Sequence, residues 1–327
     1  VEGKGNMGKK VWLGAAFFVS ASALAGFFYA NHHAEQLMAG HIERSNQQYL
    51  QLAEHGDMPP IHMSYSKLSA NIITSSYKIQ NLHIGIAGMG DLVTIGQVEL
   101  IGLQRDGLPE DGAARLKDLK LAPQALASLP PELATYLGTL LMELSYQYKY
   151  KAKTGELSFQ QELRVNHHFS LNYRFALTGV TDLWHFAEEV KQLTPEQQQQ
   201  RSEHPDYLPD LMKKVGVIAI ANGSVELENK AFLEQFFDQL AQAQITADYA
   251  GMQQQFTAAL QQNPQIPEQI STPVLGFLKQ PQRLKLSFQF RQPPSFSQMQ
   301  DGSAMAGIDT AEDFISFASL TLKANSN

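Results

Sequence analysis

His167-His168 is the sequence's nearest approach to a metal-binding pair. The two lie inside a stretch that alternates apolar and polar residues. Neighbours on a strand point to opposite faces, so the rings cannot share an ion unless a turn reorients them. They are read as turn or surface histidines. His32-His33 would stand about 100° apart on a helix and are read as interfacial residues, not ligands. Gly85-Ile86-Ala87-Gly88-Met89-Gly90 has the glycine spacing of a phosphate loop. Such a loop needs a helix N-terminus directly behind it, whereas Asp91–Leu100 reads as another strand, which makes these turn glycines. Glu188 and Glu189 adjoin each other on a helix and read as a solvated face. No serine lies in a G-x-S-x-G elbow. The chain contains no cysteine, which removes thiol catalysis, disulfides and cysteine-ligated zinc. The expectation is a protein that is not an enzyme and carries no cofactor and no metal.

What remains is an aromatic face. Tyr146, Tyr148 and Tyr150 alternate with Gln147, Lys149 and Lys151. After Thr154-Gly155 the odd positions read Leu157, Phe159, Gln161, Leu163, Val165, His167, Phe169, Leu171, Tyr173, Phe175 and Leu177, and the even positions are mostly polar. This period of two describes either two strands joined near Asn166-His167-His168 or one long bent strand, in an antiparallel sheet with one apolar side. Tyr146, Tyr148, Tyr150, Phe159, Leu163, Val165, Phe169, Leu171, Tyr173 and Phe175 are therefore the candidate site residues. Two readings stand side by side. The face is core beneath helices, or part of it lines an elongated groove for acyl chains or an apolar partner strand. Tyrosines in place of leucines favour a face that meets something polar at one end.

The elements that position this face alternate between helix and strand periodicity, so the chain reads as α+β, with a long, curved, mainly antiparallel sheet and amphipathic helices on one face. Ala34–His55 predicts a helix with Leu37, Met38, Ile42, Tyr49 and Leu52 on one stripe. Strands follow from His62 to Leu103, and Leu116–Leu144 reads as mostly helical. Asp182–Leu193 is an amphipathic helix, and Thr194-Pro195-Glu196-Gln197 opens the next with a capping box. Asn222-Gly223 predicts a hairpin turn within Val215–Leu227. Helices carrying Phe232, Phe236 and Leu240, and then Tyr249, Met252 and Phe256, come next. A strand with Leu284, Leu286, Phe288 and Phe290 follows, then a helix capped by Thr310 and a last strand over Ala318–Ala324.

The chain has 327 residues, 43% hydrophobic and 17% charged, with a net charge of -7. That charge argues against a nucleic-acid partner. Lys9 and Lys10 precede Val11–Ala30, an uncharged run long enough to cross a bilayer as a helix. The expected organisation is a cytoplasmic N-terminus over 1–10, a transmembrane anchor over 11–30, a membrane-proximal stalk helix over 31–60 and a body over 61–327. Positive charge before the run places the body in the periplasm, at the bacterial inner membrane. Ala23-Leu24-Ala25 offers the alternative of a cleaved signal peptide.

Tyr65-Ser66-Lys67-Leu68-Ser69-Ala70-Asn71, followed by Tyr77-Lys78-Ile79-Gln80-Asn81-Leu82-His83-Ile84, resembles the opening of AsmA-like and YdgA-like proteins. These are bacterial inner-membrane proteins with one span and a β-rich periplasmic body. Ile220–Phe237 and Leu278–Pro294 resemble segments of the YdgA-like branch. The resemblance implies a curved sheet with a hydrophobic inner surface and, for AsmA-like members, a part in lipid traffic or outer-membrane assembly. It supplies no catalytic residues. The functional expectation is a non-enzymatic, membrane-anchored periplasmic protein that binds lipid, another apolar ligand or an envelope-assembly partner. A structural accessory of a secretion or pilus assembly, and an envelope hydrolase without a recognisable motif, are the alternatives.

Overall fold

The computed structural model describes residues 34–54, 59–71, 75–102, 108–263 and 265–326. One 11-stranded sheet organises them. Its strands are β1 (Ile61–Ser64), β2 (Lys67–Asn71), β3 (Ser76–Ile86), β4 (Gly90–Ile101), β5 (Asp111–Leu121), β6 (Met142–Lys151), β7 (Glu156–Val165), β8 (Phe169–Thr178), β9 (Ala219–Asn229), β10 (Arg283–Gln289) and β11 (Thr321–Ala324). From β3 onward each strand pairs antiparallel with its neighbour in sequence, and β1 and β2 both pair with β3. Every apolar alternation therefore falls on the same side. One row across the strands reads Leu68, Ile79, Val98, Leu116, Leu144, Leu163, Leu171, Leu227, Leu284 and Ala324. β7 and β8 form a hairpin whose turn carries Asn166 at φ 49° and His167 at φ 58°, closed by the His168 N–H donating to the Val165 carbonyl at 2.9 Å. Two consecutive left-handed residues make this a type I′ turn, whose twist matches the strands it joins.

In the first strands the alternation changes phase midway. Tyr77 and Ile79 are buried on β3, then Leu82 and Ile84; on β5 the series passes from Ala114 to Leu119. The change falls on one line through the sheet. Asn81 has φ 49° and Asp118 φ 57°, and the Asn81 amide donates to the Ser66 hydroxyl at 3.0 Å. Gly96 lies between them, where a Cβ would come 2.9 Å from the Asp118 Cβ. A left-handed residue reverses the side to which the following side chains point. An extra residue inserted in β5 opposite β6 does the same. The apolar residues beyond the line thus stay on the same side as those before it.

The helices occupy the strand connections. Helix α1 (Ala34–Glu54) precedes the sheet, α2 (Pro123–Leu126) and α3 (Pro131–Thr139) join β5 to β6, and α4 (Thr181–Gln192), α5 (Pro195–Ser202) and α6 (Tyr207–Gly216) join β8 to β9. Helices α7 (Phe232–Gln242), α8 (Tyr249–Gln261) and α9 (Glu268–Lys279) join β9 to β10. Finally α10 (Phe296–Gln300), a short 3-10 turn and α11 (Ala311–Phe317) join β10 to β11. Met38 and Ile42 of α1 are buried with Ile61, Met63, Tyr77, Ile79 and Ile95 in the main core. Helix α1 is therefore a packed part of the body. The Thr194–Gln197 and Thr310–Asp313 capping boxes form as expected.

Several expectations are corrected. The span expected over Val11–Ala30 lies outside the described residues, and among the described residues no helix is long and apolar enough to cross a membrane. Those helices are amphipathic or short and lie on the sheet or on each other, so the transmembrane, single-pass description finds no support among the described residues. Asn222-Gly223 makes no hairpin. Both residues lie inside β9, and Gly223 is required there because a Cβ would come 2.6 Å from the Phe288 ring and 2.8 Å from the Phe175 ring. The stretch read as helical from Leu116 is strand to Leu121, and two short proline-initiated helices follow.

Candidate functional site: the apolar face of strands six to eleven

The ten sequence-predicted residues lie on one face of β6, β7 and β8. Register pairs place Tyr148 opposite Phe159, Leu144 opposite Leu163, Phe159 opposite Phe175, Leu163 opposite Leu171 and Val165 opposite Phe169. Their surroundings differ along the strands. At one end Tyr150 is 3% exposed and stacks on Trp184 of α4 with ring centroids 4.0 Å apart. The Tyr148 hydroxyl donates to the Pro109 carbonyl at 3.1 Å. At the other end Val165 is buried, and Phe169 packs on Phe232 of α7 with centroids 5.1 Å apart. Tyr150 and Val165 are thus ordinary core, and Phe169 is a packing contact.

The helices that make these contacts form two groups. At the Asn229 end, α3 packs on α7, α7 on α8 and α8 on α9. Asn229 anchors this group. It is 4% exposed, its Oδ1 accepts from the Leu233 N–H at 2.9 Å, and its amide donates to Glu234 and to the Pro281 carbonyl. At the opposite end α4 and α10 pack on α6, and Phe317 of α11 meets Phe290 with centroids 5.2 Å apart. Among the described residues no extensive packing joins one group to the other.

Between the groups the sheet face is only partly buried. Leu163, Leu171, Tyr173, Phe175, Val225, Leu227, Leu284, Leu286, Phe288 and Leu322 are all intermediate in burial, whereas Ile79, Ile95, Leu100 and Leu119 of the first strands are buried in the main core together with Met38 and Ile42 of α1. The result is an apolar trough running across the strands. With strands about 4.8 Å apart, it measures roughly 24 Å from β6 to β11. The contributions of β9, β10 and β11 were not among the predicted site residues. Their signal was present as the alternation of Leu284, Leu286 and Phe288, but only the strand pairing shows that it continues the tyrosine face.

Charge is confined to the other face. Arg115 lies 3.8 Å from Glu99, and Lys285 3.2 Å from Glu226, which also binds Arg283. Burial works to raise the Glu226 pKa, but the hydrogen bonds and charges of Arg283 and Lys285 together hold it below the usual carboxylate value. The trough face of β6 to β11 carries no ionisable group other than tyrosine. Its polar centre is Gln161, flanked in register by Tyr146 on β6 and Tyr173 on β8. The Tyr173 hydroxyl donates to Gln161 Oε1. Burial, and then the neighbouring Tyr173, pushes the Tyr146 phenol up, and burial raises Tyr173. Both remain neutral hydrogen-bonding groups at neutral pH.

The other sequence candidates do not gather into a site. His167 and His168 are exposed in the β7–β8 turn. Gly88 and Gly90, at φ 80° and 91°, turn β3 into β4 with no helix behind them. At the surface Glu188 is hydrogen-bonded to His185 at 3.2 Å, and Glu189 forms an ion pair with Arg201 at 3.1 Å. His32 and His33 lie outside the described residues. Among the described residues no group of three histidine, aspartate or glutamate side chains could hold a metal ion.

Residues 162–325, just over half of the chain, match the model of a family described as "Uncharacterized protein", and the chain belongs to that family. The matched stretch starts within β7 and takes in β8 to β11, the part of the sheet that forms most of the trough. It makes no link to AsmA-like or YdgA-like proteins, so the likeness in the first strands stands as a resemblance. No curated protein matches the chain.

Proposed function

We propose that the protein is a non-enzymatic binding protein that holds an elongated apolar ligand, lipid in class, along the face of β6 to β11. The observation that carries this reading is the only partly buried, charge-free row of leucines and aromatics between two separated helix groups. A stretch of that kind on a folded body marks a binding surface more often than idle surface. The resemblance to AsmA-like proteins points the same way, and a body without cysteine suits work in the bacterial envelope. A stalk acting as a subunit of a larger assembly is less well supported, because Met38 and Ile42 of α1 are committed to the core.

The absence of cysteine makes a direct test simple. A polarity-sensitive fluorophore is placed on Leu286→Cys in the trough, or on Ser287→Cys on the opposite face. Long-chain phospholipid or monoacylglycerol is then titrated in. A saturable blue shift at position 286 and none at 287 supports the reading. No response at 286, or the same response at both, contradicts it.

A further inference from the structure

The trough contains one group that its apolar role does not need. Gln161 stands on the apolar face of β7 between Phe159 and Leu163, where the alternation calls for a hydrophobic residue. A polar side chain partly withdrawn from water needs partners for its hydrogen-bonding groups. Gln161 has one. The Tyr173 hydroxyl donates to its Oε1 and thereby turns the amide NH2 away from Tyr173. Among the described residues that NH2 finds no acceptor, and the hydroxyl of Tyr146, on the other side of Gln161, finds no hydrogen-bond partner. Two neutral donors are therefore held side by side, at the β6–β8 end of a trough about 24 Å long. No cation lies on this face to attract a phosphate or a carboxylate.

We propose that Gln161 and Tyr146 form the polar subsite of the trough and receive an uncharged carbonyl oxygen, that of an ester or amide, of an acyl lipid whose chain extends over Val225, Leu227, Leu286 and Phe288 toward β11. Tyr173 is the positioning residue, since it fixes the Gln161 amide and need not touch the ligand. This inference rests on the trough reading and narrows it. The ligand is a neutral acyl ester or amide, selected over a bare hydrocarbon by the two donors and over a free fatty acid by the missing cation.

The experiment compares three probes of equal chain length on the full chain: monoolein, 1-octadecene and oleate. Wild type is expected to bind monoolein roughly tenfold more tightly than octadecene, the range of one to two hydrogen bonds. Gln161→Leu and Tyr146→Phe should each remove most of that preference and leave octadecene binding unchanged. Infrared spectra of monoolein with a ¹³C-labelled carbonyl give a second readout, which loss of structure would not mimic. The carbonyl band should shift to lower wavenumber on binding wild type and return toward its free position in Gln161→Leu. Equal binding of monoolein and octadecene by wild type, or a preference untouched by both variants, overturns the inference and leaves the trough reading standing. Tighter binding of oleate than of monoolein also overturns it. Binding of none of the three removes the trough reading and this inference with it.

Discussion

Gly223 shows how a single residue carries the architecture of the trough. Phe288 and Phe175 close over it from either side, and a Cβ there would approach their rings to 2.6 and 2.8 Å. Gly223→Ala should lower the stability of the fold by about 1–3 kcal/mol, the usual cost of overpacking, read as a lower urea midpoint with an unchanged slope. Glu226 carries the opposite face. Its folded pKa lies below the ordinary carboxylate value. The stability it contributes is therefore fully present above that ordinary value and is lost as pH falls through the folded one. Glu226→Gln should be less stable than wild type near neutral pH, and the gap should narrow on acidification. A gap in urea midpoint that stays constant between about pH 6 and about pH 3 would show that the pair with Arg283 and Lys285 contributes nothing. Gln161 was legible in the sequence as the polar member of the apolar series. Gly223 was not, because Asn-Gly is a turn signal by itself and only the packed rings show that the glycine is there for space.

At the scale of elements, the free edge of β1 is protected by a side chain. Asn46 of α1 binds both outward groups of Met63, donating to its carbonyl at 2.9 Å and accepting from its N–H at 2.8 Å. The amide thus completes the ladder where a further strand would add, one of the ways edges are blunted. Asn46→Ala should destabilise by about 1–2 kcal/mol and raise hydrogen exchange at the Met63 amide more than at Ile84, its partner on β3. Equal protection of both amides in the variant would show that α1 holds β1 by apolar packing alone. The unbroken period of two made β7 and β8 legible, with their turn at Asn166-His167-His168 as one of two readings, and made β6 legible from Tyr146, its first residues having been read as helical. Strands β3 and β4 were legible only as strand-rich and β5 was not legible as a strand, because Asn81 on β3 and Asp118 on β5 reverse the phase and hide the alternation from a fixed-period reading. Leu116–Leu121 was read as helical for the same reason. The positions of α1, α4, α5, α7, α8 and α11 were legible, those of α6, α9 and α10 were not, and helix placement was not legible for any of them. A 3.6-residue stripe shows that a helix has a buried side but not which end of a sheet it covers.

For the whole molecule, the sequence-neighbour pairing of the strands puts every apolar alternation on one side, and the helices cover only part of it. The first strands are closed around a core that includes Met38 and Ile42 of α1, the strand ends by two helix groups, and the middle of β6 to β11 is left only partly buried. The sequence could not decide between closed core and open groove, because both have the same alternation. Burial differs along that face. The tyrosine strand is mostly core or contact, and the open part lies further along the chain, in the stretch that matches the family model. The most direct test of this account is native mass spectrometry of the protein expressed in a bacterial periplasm, with lipid extraction of the same sample. The account predicts a stoichiometric acyl lipid retained by wild type and lost from Leu227→Lys, which places a charge in the trough. A wild-type protein that is folded and free of lipid, and that takes up none when it is supplied, would contradict it.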